Sequence, residues 1–188
     1  MNKKGTLCLL ADFDSENEIR ALMKRGAAEG GVGVAAAGLP RHISLGMPYE
    51  VKDWEAYEKF AGRLAETLST VKVRISDIGA GKISEQFGSY FLKFEEDFGL
   101  EELRLNVKKA LVEELGLEMP EKDGVAGQKS ITLGFGTAPY ETYKAFVDGV
   151  DKSFIGKELT FSELGVFYYD QPFIAANNFF CCRRFRLN

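Results

Sequence analysis

Side chains that bind structural metal ions are scarce in this sequence. It contains a single histidine, His42, and its three cysteines, Cys8, Cys181 and Cys182, form no Cys-x-x-Cys pair. A protein zinc site needs several such ligands at close spacing, so this composition excludes a zinc-type ligand set, and we expect no cofactor. The cysteines are expected to be reduced and to pack as small apolar groups.

An excess of basic residues is also missing. The 188 residues include 24 lysines and arginines against 28 aspartates and glutamates, which gives a net charge of −4. Proteins that grip duplex nucleic acid through its phosphates usually have a basic surface. We therefore predict that duplex DNA is not a partner.

The sequence also lacks a hydrophobic run long enough to span a membrane. The apolar residues that follow Lys3 and Lys4 are interrupted at Asp12 and Asp14. This run is too short to cross the hydrocarbon core of a bilayer. We therefore expect a cytoplasmic protein with no membrane segment and no membrane partner.

What the sequence does contain is a short motif that occurs twice. Residues 41–47 (RHISLGM) and 129–135 (KSITLGF) share the pattern X-Ile-[Ser/Thr]-Leu-Gly-apolar, and the two X positions lie 88 residues apart. Each copy is followed by Pro-Tyr-Glu. A second pair of matching segments, residues 75–80 (ISDIGA) and 161–166 (FSELGV), is displaced by 86 residues. Two matches at nearly one displacement indicate an internal duplication.

The duplicated motif predicts a polar groove between two similar lobes. Side chains two positions apart in a strand project from the same face. His42 and Ser44 therefore share one face, Ser130 and Thr132 share the corresponding face of the second copy, and the intervening apolar residues face the core. If an approximate two-fold axis relates the lobes, we expect both polar pairs to line a shared groove.

Hydrophobic periodicity predicts helices between the strands. Helices are expected near residues 14–25, 51–68, 100–115 and 140–154, and strands at 6–13, 41–47, 71–78, 89–95, 129–135, 159–169 and 179–187. The Gly/Ala-rich stretch 29–38 is predicted to be a loop or short strand, and loops are expected at 120–128 and around Pro172. This order predicts one bilobal α+β domain over residues 1–188, with mainly antiparallel sheets, flanking helices and a central groove.

The segment His42-Ile43-Ser44-Leu45 resembles the H-x-[ST]-x motif of the two-histidine (2H) phosphoesterase superfamily, which includes RNA 2′,5′-ligase-like and 2′,3′-cyclic phosphodiesterase proteins. The resemblance extends over nearly the whole chain. It implies a bilobal α+β fold and a metal-independent reaction on a phosphodiester or cyclic phosphate, with two histidines as general base and general acid. It implies a catalytic role for His42 and phosphate-binding roles for Ser44 and Thr132.

The sequence departs from that superfamily at Ser130, which stands where the second histidine is expected. Serine does not titrate near neutral pH, so Ser130 is a candidate phosphate ligand but not an acid or base. Losing one such group typically lowers the rate by about 10² to 10⁴. We also expect Arg41, which alternates away from His42, to be a surface charge.

Three interpretations of this departure remain open. The protein is an altered phosphodiesterase that uses His42 with a substitute such as Lys129 or a groove tyrosine, although alternation turns Lys129 away from Ser130. It is a non-catalytic module that binds a nucleotide or RNA-end phosphoester. Or the motif is a structural relic in an interaction protein, which predicts no phosphate affinity. The sequence specifies neither the phosphoester nor the oligomeric state.

Overall fold

Within the part of the chain that the structure describes, eight strands form one antiparallel sheet and four α-helices accompany it. The computed structural model describes residues 3–32, 39–84, 86–118, 127–136, 138–169 and 179–188. The strands are β1 (Lys4–Ala11), β2 (His42–Ser44), β3 (Tyr49–Glu50), β4 (Val71–Lys82), β5 (Gly88–Glu95), β6 (Ser130–Phe135), β7 (Glu158–Tyr169) and β8 (Phe179–Arg186). The helices are α1 (Phe13–Gly30), α2 (Trp54–Thr67), α3 (Leu100–Leu115) and α4 (Tyr140–Gly149), and a 3₁₀ turn covers Lys152–Phe154. The predicted α+β class is confirmed.

The sheet consists of two equivalent halves. Its strand order is β2-β1-β7-β4-β5-β6, with β3 also paired to β1 and β8 also paired to β7. The halves β2-β1-β7 and β6-β5-β4 join where β4 pairs with β7, and Val73 lies opposite Leu159 in that ladder. These two residues are 86 positions apart, which is the displacement between the repeated segments. The approximate two-fold axis therefore passes through this pair, which confirms the predicted duplication within one continuous sheet.

Equivalent helices pack on the two halves of the sheet through matching apolar stripes. Helix α2 buries Tyr57 and Phe60 and contacts β7 and β8, whereas α4 buries Tyr143 and Phe146 and contacts β4 and β5. Each aromatic residue of α4 lies 86 positions after its counterpart in α2. The periodic aromatic residues therefore form the core of the domain, as helical spacing predicts. In the described part of the chain, no helix combines the length and apolarity needed to cross a bilayer.

Capping interactions explain why α1 is longer than predicted. The carboxylate of Asp12 accepts the backbone N–H of Ser15 at 2.8 Å, so the helix begins at Phe13. It ends where Gly31 adopts a left-handed conformation with φ of 62°. The predicted loop at 29–38 therefore begins inside the helix, and its residues 33–38 lie outside the described residues. So do residues 119–126 and 170–178, which cover most of the loops predicted at 120–128 and around Pro172.

The seam between the halves provides a test of the fold. Leu159 is fully buried at the pseudo-two-fold axis, so Leu159→Ala is expected to lower the free energy of unfolding by about 2–5 kcal/mol. Thr160→Ala is the control, because Thr160 is the next residue and is half-buried. It is expected to lower the free energy of unfolding by less than about 1 kcal/mol. Urea denaturation measures both values. Equal losses in the two variants would contradict a core seam at Leu159.

Candidate functional site

The two motif strands lie at opposite ends of the sheet order and nevertheless contact each other. The sheet curves so that β2 contacts β6. A groove of about 820 Å³ is lined by residues of both strands. His42 and Ser44 line it from one half, and Ser130 and Thr132 line it from the other. All four residues selected from the sequence are therefore brought together. The volume is typical of a site for a small molecule.

Strand alternation separates the groove from the core as predicted. Ile43 and Leu45 of the first motif are buried, and so are Ile131 and Leu133 of the second, each at 2% exposure or less. The polar residues between them open to the groove. The apolar residues thus anchor the motif strands, and the alternate positions are left for polar chemistry.

The imidazole of His42 is held in one orientation. Its Nδ1 lies 2.9 Å from the carbonyl oxygen of Pro40, and its ring packs edge-on against Phe167 with a centroid distance of 4.7 Å. Because a carbonyl can only accept, Nδ1 carries the proton and Nε2 is left as an acceptor. Burial lowers the pKa of His42 from 6.5 to about 4, although its bond to Pro40 opposes the shift. The imidazole is therefore neutral near pH 7.

The wall beneath the first motif is apolar, which explains this shift. Cys8, Leu10 and Phe167 form a small buried cluster on the groove side of the sheet. Cys8 lies opposite Ser44, and Leu10 lies opposite His42. Burial raises the pKa of the Cys8 thiol, so it remains protonated. The three cysteines of the chain are all free, as expected.

The second half of the groove presents hydroxyls and lysines. Ser130 and Thr132 face it from β6, and Lys93 of β5 lies directly opposite Ser130. Lys129, one of the substitutes considered from the sequence, also lines the groove, but its ammonium is bonded to Glu96 at 2.7 Å. Tyrosine, the other substitute, does not occur among the described residues that line the groove.

Arg41 is not the surface charge that the sequence suggested. Its side chain is 1% exposed, because alternation turns it into the core beneath the groove. There its guanidinium donates to the carbonyl oxygen of Leu39 and lies 3.5 Å from that of Thr132, across the interface between the halves. Burial lowers the pKa of Arg41 to about 10, and the nearby Glu16 opposes this shift. The charge therefore persists at neutral pH.

A second buried arginine makes the reciprocal contact. Arg104 of α3 is 5% exposed and donates from Nε and Nη2 to the carbonyl oxygen of Ser44, at 3.1 and 3.0 Å. Its Nη1 is bonded to Glu101, whose other oxygen accepts the N–H of Gly127 just before the second motif. Each half therefore supplies a guanidinium to the motif strand of the other half.

Sequence reasoning missed three residues of this site. Lys93, Phe167 and Arg104 are far from either motif in the chain, and only the strand pairings and the curvature of the sheet bring them near it. Alternation within β5 could have assigned Lys93 to the same face as Phe91. Its position opposite Ser130 depends on the register between β5 and β6, for which the sequence carries no local signal.

The described residues contain no group of three or more histidine, cysteine, aspartate or glutamate side chains that could hold a metal ion. What the groove offers instead is one neutral imidazole, several hydroxyls and the ammonium group of Lys93, whereas the ammonium of Lys129 is engaged by Glu96. Hydroxyls and ammonium groups donate hydrogen bonds to anionic oxygens, and a neutral imidazole accepts a proton. The arrangement is therefore suited to an anionic oxygen ligand such as a phosphate.

Several solved structures share the fold of this chain. TT0787 of Thermus thermophilus has a TM-score of 0.61 at 16% identity, over 98% of this chain and 97% of that chain. E. coli LigT, complexed with 3′-AMP, has a TM-score of 0.58 at 13% identity, over 100% and 99%. Usb1 of Kluyveromyces marxianus has a TM-score of 0.50 at 14% identity, over 87% and 92%. No protein-family model and no curated protein matches the sequence.

These neighbours confirm the expected resemblance at the level of the fold. LigT and Usb1 belong to the 2H phosphoesterase superfamily, and the likeness covers both halves of the present chain. Other solved structures among the neighbours are of E. coli LigT with ATP and with NADP+, and of K. marxianus Usb1 with uridine monophosphate. Two proteins with this fold, LigT and Usb1, have therefore been solved in complex with nucleotides.

The protonation of His42 can be followed directly, because it is the only histidine in the chain. Its imidazole NMR signals are expected to titrate with a midpoint of about 4 in the folded protein and near 6.5 in urea. Because the unfolded chain binds the proton at higher pH, the free energy of unfolding should decrease as pH falls from about 6.5 towards 4. A folded-state midpoint near 6.5 would show that the imidazole is not desolvated.

The arginine contact between the halves is tested by Arg104→Met, which keeps side-chain volume but removes the donors to Ser44. It is expected to lower the free energy of unfolding by about 2–4 kcal/mol, because a carbonyl beneath the groove loses its partner. Arg63→Met is the matched control, since Arg63 and Glu114 form an exposed pair at 2.7 Å, and it should cost less than about 1 kcal/mol. Chemical denaturation gives both values, and similar small losses would contradict a stabilising role for Arg104.

Proposed function

We propose that this protein is a 2H phosphoesterase-like protein that binds the phosphate of a nucleotide or RNA end in the groove, with weak or altered phosphodiesterase activity. The observation that carries the proposal is the convergence of the two motif copies on one groove. Ser44, Ser130 and Thr132 supply hydroxyl donors for phosphate oxygens. Nucleotide complexes of proteins with this fold support a nucleotide as the ligand.

In the proposed reaction His42 is the general base. The bond from Nδ1 to Pro40 fixes the ring and leaves Nε2 to take a proton from an attacking water or ribose hydroxyl. The attacking oxygen forms a bond to phosphorus, the bond from phosphorus to the leaving ester oxygen breaks, and the leaving oxygen takes a proton from solvent water. The hydroxyls of Ser44 and Thr132 hold the phosphate oxygens during this displacement. No metal ion or other cofactor takes part in this scheme.

Two features of the groove support weak activity. Ser130 cannot protonate the leaving oxygen, and the absence of one general acid typically lowers the rate by about 10² to 10⁴. The pKa of His42, at about 4, also makes its imidazole a weaker base than one that titrates near neutral pH. Both effects slow the chemical step, whereas the hydroxyls proposed to hold the phosphate oxygens are retained.

The same features favour a second candidate function, a non-catalytic module that binds a nucleotide or RNA end. His42 is the only histidine of the chain, so no other imidazole can replace the one absent at Ser130. In this candidate the groove and its hydroxyls are retained for recognition. The two candidates share their ligand and differ in whether turnover accompanies binding.

We further propose that residues 1–188 act as one bilobal domain, because a single sheet runs through both halves and the groove needs residues from each. Neither half contains a complete set of the candidate site residues. The halves are therefore expected to unfold together. A cytoplasmic location is also proposed, on the basis of the short apolar run that Asp12 and Asp14 interrupt near the start of the sequence.

Turnover and binding on a panel of 2′,3′-cyclic and 2′,5′-linked nucleotides test this proposal. We expect slow wild-type turnover that falls by at least about 10² in His42→Ala, because the base is lost. Ser130→His is expected to raise turnover by restoring a second imidazole. Ser69→His, at an exposed position outside the groove, controls for the added histidine and should leave turnover unchanged.

The outcomes separate the candidate functions. Ligand binding without wild-type turnover, together with turnover gained in Ser130→His, would favour the non-catalytic module. Turnover that is unchanged in His42→Ala would rule out His42 as the base. The absence of both binding and turnover in every variant would overturn both candidates and leave a fold used for another purpose.

A further inference from the structure

The two halves of the groove differ in a complementary way. In the first half, His42 of β2 lies opposite Leu10 of β1. At the equivalent place in the second half, Ser130 of β6 lies opposite Lys93 of β5. The first half therefore carries its ionisable group on the motif strand, beside an apolar residue. The second half carries its ionisable group on the neighbouring strand, beside a serine.

Lys93 projects into the groove on the same side as Ser130. Tyr90 and Leu92 alternate with it in β5 and are buried in the core, whereas Lys93 lines the groove. Side chains directly opposite each other in adjacent antiparallel strands start about 5 Å apart. The flexible four-carbon stem of lysine can therefore carry its ammonium into the space above the short Ser130 side chain.

The ammonium of Lys93 is available for an anionic ligand. Its partner in the structure is Asp77, at 3.4 Å, and the side chains of the two residues are 52% and 46% exposed. Exposed pairs of this kind contribute little stability, so a phosphate can displace the aspartate.

Lys129, the other lysine of the groove, is held more firmly. It lies 2.7 Å from a carboxylate oxygen of Glu96, and the Glu96 side chain is 5% exposed. The other oxygen of that carboxylate accepts the backbone N–H groups of Gly99 and Leu100, which fixes its position. The two lysines therefore form a matched pair in which only Lys93 is free to move towards a ligand.

We propose that Lys93 binds the phosphoryl oxygens of the ligand beside Ser130, and that it supplies a positive charge at the place where the second motif has a serine instead of a histidine. This inference rests on the proposed phosphate-binding function of the groove. An ammonium group stabilises negative charge on a phosphate as a compact point charge with three donors. Lys93 therefore strengthens binding of a nucleoside monophosphate and does not replace the proton transfer of a second histidine.

The experiment compares Lys93→Met with the matched control Lys129→Met by isothermal titration calorimetry, with 3′-AMP and adenosine as probes. Lys93→Met is expected to weaken 3′-AMP binding about tenfold, because one charge-assisted contact is lost. It should leave the affinity for adenosine within about twofold, because adenosine has no phosphate. Lys129→Met should change either affinity by less than about threefold, and Lys93→Arg should retain most of the affinity for 3′-AMP.

The dependence of 3′-AMP affinity on ionic strength provides a second measurement, which would not change if Lys93 had only a structural role. The affinity of the wild type for 3′-AMP should fall as salt rises, and this dependence should be shallower in Lys93→Met, which has one charge fewer at the phosphate. Thermal unfolding of each variant, measured alongside, is expected to match the wild type because Lys93 is half exposed.

The titrations with 3′-AMP have three outcomes that would contradict the role of Lys93. Wild-type binding of 3′-AMP that persists unchanged in Lys93→Met would overturn the assignment to Lys93 and leave the proposed function intact. Equal losses in Lys93→Met and Lys129→Met would also overturn it, since the effect would reflect overall charge. A wild type with no affinity for 3′-AMP at the concentrations of the titration would overturn both this inference and the function on which it rests.

Discussion

The structure depends on the meeting of two sheet edges. Strands β2 and β6 end the sheet order, and an end strand has backbone carbonyls with no ladder partner. The buried guanidiniums of Arg41 and Arg104 approach two of these carbonyls from the opposite halves, at Thr132 and Ser44. A guanidinium has five donors in a planar fork, so it can satisfy a carbonyl and a second acceptor together. The approach of the two end strands, and therefore the groove between them, depends on these two arginine contacts.

The two halves of the groove share a backbone arrangement but present different functional groups. The first half surrounds His42 with Leu10, Cys8 and Phe167, and desolvation in these surroundings keeps the imidazole neutral. The second half has more exposed walls and holds Ser130 beside an ammonium group. One half therefore provides a proton acceptor and the other provides donors and positive charge. Symmetry of the backbone has been retained while the ionisable groups of the two halves have diverged.

Much of the fold was predictable because it follows from local patterns. The spacing of Tyr57 and Phe60, repeated at Tyr143 and Phe146, indicates two equivalent amphipathic helices, and strand alternation orients the motif residues. Val73 and Leu159, the pair on the pseudo-two-fold axis, are separated by the same 86 residues as the repeated segments. These features depend only on residues close together in the chain or on comparison of the two repeats.

The candidate site was predictable in part. His42, Ser44, Ser130 and Thr132 were identified from the motifs, but Arg41 was misjudged because a charged residue beside a polar strand is ordinarily at the surface. Its burial depends on the carbonyl oxygens of Leu39 and Thr132, and the latter comes from the other half of the chain. The role of Lys93 was likewise not evident from the sequence, because Lys93 lies beside Ser130 only through the pairing of β5 with β6.

By itself, the sequence determined the duplication, the α+β class and the face of each motif strand, because periodicity and repetition are properties of neighbouring residues. Only the tertiary structure decided that the sheet curves until its two end strands meet, that Arg41 and Arg104 are buried between the halves, and that Lys93 stands beside Ser130. These features arise from strand register and sheet curvature, which are set by packing between residues distant in the chain.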